Sequence, residues 1–234
     1  MPPESVDAVT ESLIRDRSLL SRTSTTERVA AILRDRITEG LFRPGDRLVE
    51  ETIGTALGVS RNTLREAFRL LSHERLLDHR LNRGVFVREL SVDDVVDLFR
   101  VRRLVECTAI RHADTAPAAA LRHLREAVES GEHAATDHAW LAVGTANMRF
   151  HQAVVELAGS ARLEEMMRQV LAELRLVFHV MNDPRTFHEP YLARNRDILK
   201  LVEAGDRDGS EAMLSGYLTE AERQLVGAYS LLTR

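Results

Sequence analysis

Residues 50–77, EETIGTALGVSRNTLREAFRLLSHERLL, carry two helical patterns on either side of a single glycine. Ile53, Ala56 and Leu57 recur at the spacing that lines one helix face. Leu64, Ala67, Phe68, Leu70 and Leu71 do the same after the break. Gly58 permits a sharp turn between them, Val59 can anchor that turn in a core, and Ser60 is a favoured N-cap. Two short amphipathic helices joined this tightly must cross and pack on one another. The spacing predicts helices over about 50–56 and 61–74.

The flanks extend the pattern. Val29, Ile32, Leu33 and Ile37 predict a preceding helix, capped by Thr25 or Thr26 and ended by Gly40. Pro44-Gly45 then marks a turn. After the second helix, Leu76–His79 and Val85–Val87 enclose Leu81-Asn82-Arg83-Gly84, which reads as a two-stranded hairpin. From Ser91 onward no strand pattern remains. Helices are predicted over about 91–113, 118–130, 137–158, 161–181, 188–204 and 207–230. Pro117, Gly131, Gly159, Pro184 and Gly205-Asp206 punctuate them. The expected fold is mainly α. An N-terminal winged helix-turn-helix, three helices plus a two-stranded wing, precedes a C-terminal all-α antiparallel helical bundle. The expected division is a flexible arm at 1–23, the winged helix at 24–90 and the bundle at 91–234.

Charge supports that division. The whole chain of 234 residues carries a net −4, which by itself argues against a coat of nucleic acid. Residues 24–90, however, hold 12 arginines and 10 acids, whereas 91–234 hold 17 basic and 22 acidic residues. The N-terminal segment is basic and the bundle sets the overall sign. Ser60, Arg61, Asn62, Thr63 and Arg65 cluster at the start of the second helix of the pair. Helix-borne donors of this kind reach base edges in the major groove, and arginine can grip guanine with two hydrogen bonds. Ser60 and Thr63 suit phosphate oxygens, and Arg83 at the bend of the wing suits a narrow minor groove. The bland alternative is a helical hairpin with solvated arginines; the added turn and wing favour DNA.

Other classes are disfavoured. A single cysteine, Cys107, excludes an intrachain disulfide framework and any multi-cysteine metal site, and fits a reducing cytoplasm. No apolar run approaches a membrane span, and the N-terminus lacks the apolar core of a signal peptide, so no membrane partner is expected. HExxH, a glycine-rich phosphate loop and a nucleophile elbow are all missing, so no enzyme is expected.

The stretch LFRPGDRLVEETIGTALGVSRNTLREAFRLLSHERLL, followed by RGVFV, resembles the winged-helix domain of the GntR family of bacterial transcription regulators. The resemblance covers about 25–88 and implies a homodimer on a short pseudo-palindromic operator. It assigns base reading to Arg61 and Arg65, supporting contacts to Ser60, Asn62 and Thr63, and the wing tip to Arg83-Gly84. One departure is Glu51, where relatives often carry arginine; a carboxylate there repels phosphate.

The bundle is similar to the FCD-type effector domain of the FadR branch. The matching stretches are LFRVRRLVECTAIRHA at 98–113, NMRFHQAVVELAGSARLEEM at 147–166 and RNRDILKLVEAGDRDGSEAMLSGYL at 194–218. Many such domains hold a divalent metal with one Asp and three His. Here the corresponding positions are Asn147, His151, Asn195 and Tyr217, so no metal or other cofactor is expected. The resemblance brings these four together as a polar cluster, with Arg102 near it as a clamp for a carboxylate. The competing reading pairs Arg102 with Glu106 one turn later and has the cluster merely knit the core. His179, His188 and Trp140 read as packing or surface, and Cys107 as buried and inert. Arg175 can face the cavity, but sequence does not orient it.

The function these features imply is a cytoplasmic, homodimeric, sequence-specific transcription regulator, a repressor by family habit. Its affinity for double-stranded operator DNA would respond to a small organic effector, a carboxylate, in the helical domain. The alternatives are a DNA-binding protein whose second domain only dimerises, and a metal-dependent sensor despite the altered ligand set.

Overall fold

The structure, a computed structural model, describes residues 24–38, 41–178 and 183–232. The arm at 1–23, the helix stop at Gly40 and His179 lie outside the described residues.

Helix α1 spans Thr25–Thr38. Its cap is Ser24 rather than Thr25 or Thr26: the Glu27 amide donates to Ser24 Oγ at 3.2 Å and the Ser24 amide to Glu27 Oε2 at 2.9 Å. This reciprocal capping box satisfies two amides the helix leaves unpaired. A two-residue strand β1 (Arg47–Leu48) follows, then α2 (Glu50–Leu57) and α3 (Arg61–His73). Strands β2 (Leu77–Arg80) and β3 (Gly84–Val87) complete the segment.

Val29, Leu33, Ile37, Ile53, Leu64, Ala67, Phe68 and Leu71 are all buried. Three residues assigned inward by their spacing are not: Ile32, Ala56 and Leu70 reach the surface. Each sits at the margin of an apolar stripe, where a small rotation of the helix decides burial.

The two-stranded wing expected from the hairpin is a three-stranded sheet of order β1-β3-β2, all antiparallel. The Pro44-Gly45 turn reverses the chain so that Arg47 and Leu48 face Phe86 and Val85. The Val87 amide donates to the Asp46 carbonyl at 2.9 Å, and the Gly45 amide to that of Val87 at 2.9 Å. A two-residue strand is too short to show alternation in sequence.

The bundle comprises α4 (Val92–Ile110), α5 (Ala118–Thr136), α6 (Trp140–Glu156), α7 (Ala161–Val177), α8 (Pro184–Glu203) and α9 (Arg207–Leu232). Ser91 caps α4 through a capping box with Asp94. Two of the expected helix boundaries are corrected. Gly131 does not end α5; a Cβ there would stand 3.3 Å from Leu192 Cδ2 and 3.5 Å from Ala146 Cβ, so glycine lets α6 and α8 approach closely. Pro184 opens α8 at its first turn, capped by Asp183, four residues before the predicted start.

The two segments share one continuous apolar core. Helix α7 lies on α4 and α6 and also touches α1. Arg88, after β3, donates to Glu173 on α7 at 3.1 Å and to Asp94 on α4 at 2.7 Å. Helix α7 therefore links body and reading head. No helix among the described residues is long and apolar enough to cross a membrane.

Candidate nucleic-acid interface and buried polar cluster

Gly58, with φ 63°, closes α2 in the left-handed region, and Val59 and Ser60 lead directly into α3. The Thr63 amide donates to Ser60 Oγ at 3.1 Å, and the two hydroxyls lie 2.8 Å apart. Ser60 and Thr63 thus lock the helix start while remaining beside its unpaired amides. Arg61, Asn62 and Arg65 are exposed there, and Arg69, four residues further, continues the stripe. Arg69 is an addition to the residues expected from sequence, although its spacing from Arg61 and Arg65 signals it. Arg65 reaches Glu50 on α2 at 3.3 Å, with two-thirds of its side chain exposed. Such an exposed pair is weak and free to re-form with phosphate. Glu51 is exposed on α2.

At the wing, Arg83 and Gly84 are exposed, with Asn82 at φ 58° and Gly84 at φ 105° forming the bend. The register sets Arg80 opposite Gly84. Arg47 on β1 lies against the same bend: a Cβ on Gly84 would stand 3.2 Å from Arg47 Nε. Arg47 on β1 and Arg80 on β2 flank β3 from its two sides, with Arg83 at the bend, and Arg47 joins them only because β1 pairs with β3.

Inside the bundle, Arg102, Asn147, His151, Asn195 and Tyr217 are all buried, and they meet. Arg102 Nε donates to Glu106 Oε1 at 2.7 Å, the pairing that sequence offered as the bland reading. The other Glu106 oxygen lies 2.6 Å from His151 Nδ1. Tyr217 Oη stands 3.1 Å from His151 Nε2 and 2.9 Å from Asn147 Oδ1, and its one proton serves one of them at a time. Asn195 Nδ2 donates to Asn147 Oδ1 at 2.8 Å. Glu106 is thus the hub, buried completely.

The charges follow from this geometry. Burial pushes the Glu106 carboxyl up, but the Arg102 charge and then His151 outweigh it and hold the group below the usual carboxylate range. Burial lowers His151, assisted by Arg102 and opposed by Glu106, so the imidazole is neutral. Burial pushes the Tyr217 phenol up.

His188 is buried rather than on the surface, beside Arg175. A Cβ on Gly144 would fall 2.6 Å from Arg175 Nη1 and 2.7 Å from His188 Nε2, so glycine makes room for both. Burial, then the Arg175 charge, pushes His188 down to about 4. Cys107 is half-buried rather than buried, and burial pushes its thiol up to about 11, which keeps it a thiol.

Arg102 Nη2, Asn195 Oδ1 and His188 Nδ1 are buried without a hydrogen-bond partner. The void bounded by Asn147, His188 and Asn195 measures about 10 Å³, near the volume one water needs. A divalent metal does not fit this set. Both His151 nitrogens are engaged, Asn147 and Asn195 are neutral amides, and Tyr217 is held as a phenol. Among the described residues no group of three His, Cys, Asp or Glu side chains could hold one.

A recognition helix presenting arginines beside a basic wing, carried on an all-α body with a closed polar centre, defines a winged-helix transcription regulator. Residues 25–87 match the family described as bacterial regulatory proteins, gntR family, and residues 97–220 match the FCD domain. The chain belongs to the GntR family, with an FCD domain as its body, and its relatives are regulators rather than enzymes. It is 32% identical over 157 residues to the Nta operon transcriptional regulator of Aminobacter aminovorans, covering 64% of this chain and 72% of that one. The transcriptional repressor RspR of Escherichia coli is 25% identical over 195 residues, covering 83% and 86%. The crystal structure of a GntR transcriptional regulator from Rhodococcus sp. RHA1 superposes with a TM-score of 0.84 at 46% identity, over 88% of this chain and all of that one.

Proposed function

We propose that this chain is a homodimeric, cytoplasmic operator-binding regulator, a repressor, whose DNA affinity responds to a small organic carboxylate in the bundle. The observation that carries the effector is the set of buried atoms left without partners: a guanidinium nitrogen on Arg102, an amide oxygen on Asn195 and an imidazole nitrogen on His188. Each such atom costs about 1–3 kcal/mol, which a ligand carrying a carboxylate and a donor would recover. The void is too small for that ligand, so binding must part α6 and α8, and a ligand shifts such an equilibrium only through its preference for one state. That movement would reach the reading head through α7. The site carries no metal in this reading, and stoichiometric zinc or nickel in gently purified protein would contradict it.

Operators selected from random DNA should show a pseudo-palindrome. Arg61→Ala and Arg65→Ala should each weaken it by about 1–3 kcal/mol and relax one base position. Unchanged footprints would sink the assignment.

The small void favours a second reading, in which the body only dimerises. A thermal-shift screen of carboxylic acids decides between them. Stabilisation that disappears in Asn195→Ala supports the effector site; no stabiliser supports the dimerisation module.

A further inference from the structure

A cleft of about 420 Å³ opens where the body meets the reading head, within the ~300–1,000 Å³ range of small-molecule sites. Arg149 on α6, Arg168 and Arg175 on α7, and Asp35 on α1 line it. Its floor is apolar, from Met148, Leu171 and Ala172. Arg175 is fixed: it is 8% exposed, and its Nη2 donates to the Leu141 carbonyl and to Thr145 Oγ1, each at 3.2 Å. Gly144 leaves space for its guanidinium where any side chain would collide. Arg149 and Arg168 are exposed; Arg168 pairs with Glu165, three residues earlier, in a solvent-facing pair of little strength. Three guanidinium groups around an apolar floor, with Asp35 as the lining carboxylate and Glu165 held on Arg168 in an exchangeable pair, make a receptor for an apolar anion, because an arginine fork matches a carboxylate with paired hydrogen bonds.

We propose that this cleft binds a small organic carboxylate with a flat apolar body, at a site separate from the buried cluster. The carboxylate sits among Arg149, Arg168 and Arg175, and its body covers Met148 and Leu171. Asp35 belongs to the reading head, so the bound anion stands close to a like charge on α1. Occupancy therefore biases the angle between head and body, and a site at this junction acts on DNA binding without any change in the bundle core.

The test uses the full-length protein and 2-naphthoate, with the neutral isostere 2-naphthamide as control, by isothermal titration calorimetry. Naphthoate should bind once per chain, and the naphthamide at least tenfold more weakly. Combined Arg149→Gln and Arg168→Gln, both exposed and tolerant of change, should weaken naphthoate tenfold or more. Asp35→Asn should strengthen it severalfold. Asn195→Ala, in the buried cluster, should leave it unchanged, which separates this site from the effector reading. Absence of saturable binding at millimolar ligand, equal binding of the naphthamide, or undiminished binding by the double arginine variant overturns the proposal. An unaltered affinity in Asp35→Asn removes the reading head from the site and overturns it likewise.

Discussion

Glu106 shows how much one buried carboxylate can organise. It neutralises Arg102, itself only 2% exposed, and fixes the His151 ring through Nδ1. Removing one partner of a buried ion pair strands the other charge away from water, a loss of about 3–5 kcal/mol. Glu106→Gln keeps the shape and should therefore lower the urea-unfolding free energy by about 3 kcal/mol or more. Glu106→Gln combined with Arg102→Met should recover much of that. A single variant within about 1 kcal/mol of the parent, the scale of an ordinary surface change, would show that the hub is dispensable. Sequence placed Arg102 and Glu106 one turn apart and left their roles open. The family resemblance set Arg102 near His151, but the contact of Glu106 with that ring, 45 residues further along, was not foreseen.

At the level of elements, the turn between α2 and α3 is the most legible part of the molecule. Gly58 adopts φ 63°, and a Cβ added there would meet nothing within 4 Å, so the cost of alanine is purely conformational. Gly58→Ala should destabilise the protein by about 1–2 kcal/mol without altering packing. Chemical denaturation and an unchanged near-ultraviolet spectrum would check both halves of that statement. Helix boundaries were less legible. The expected stop at Gly131 and the late start of α8 both miss because glycine can serve close packing and proline can begin a helix. Strand β1 was invisible, since its existence depends on pairing with β3 far along the chain.

At the scale of the whole molecule, acid should loosen the fold. Folding holds His188 at about 4, against about 6.5 for an exposed histidine. Between those values the unfolded chain takes a proton that the folded chain refuses, so stability is full above about pH 6.5 and falls as pH drops toward about 4. The His188 share is at most about 3 kcal/mol. His151 acts in the same direction, and Glu173, whose carboxyl burial pushes up against the pull of Arg88, acts oppositely. Urea midpoints should therefore fall between about pH 7.5 and about pH 5, and His188→Gln should flatten that dependence. An equally steep fall in the variant would remove His188 as the cause. Loosening on this path begins where His188 on α8 packs beside Gly144 on α6.

The sequence alone determined the helical character of both segments, the basic reading head on an acidic body and the arginines at the start of α3. These properties are local: periodicity, caps, turns and charge act over a few residues. Tertiary structure alone decided that Arg47 joins the wing, that Glu106 ties His151, that His188 and Arg175 share the space above Gly144, and that three arginines and Asp35 line one cleft. Those arrangements join residues far apart in the chain, and their energies exist only once helices pack and water leaves. A buried charge or an unpaired amide gains its meaning from the neighbours that surround it.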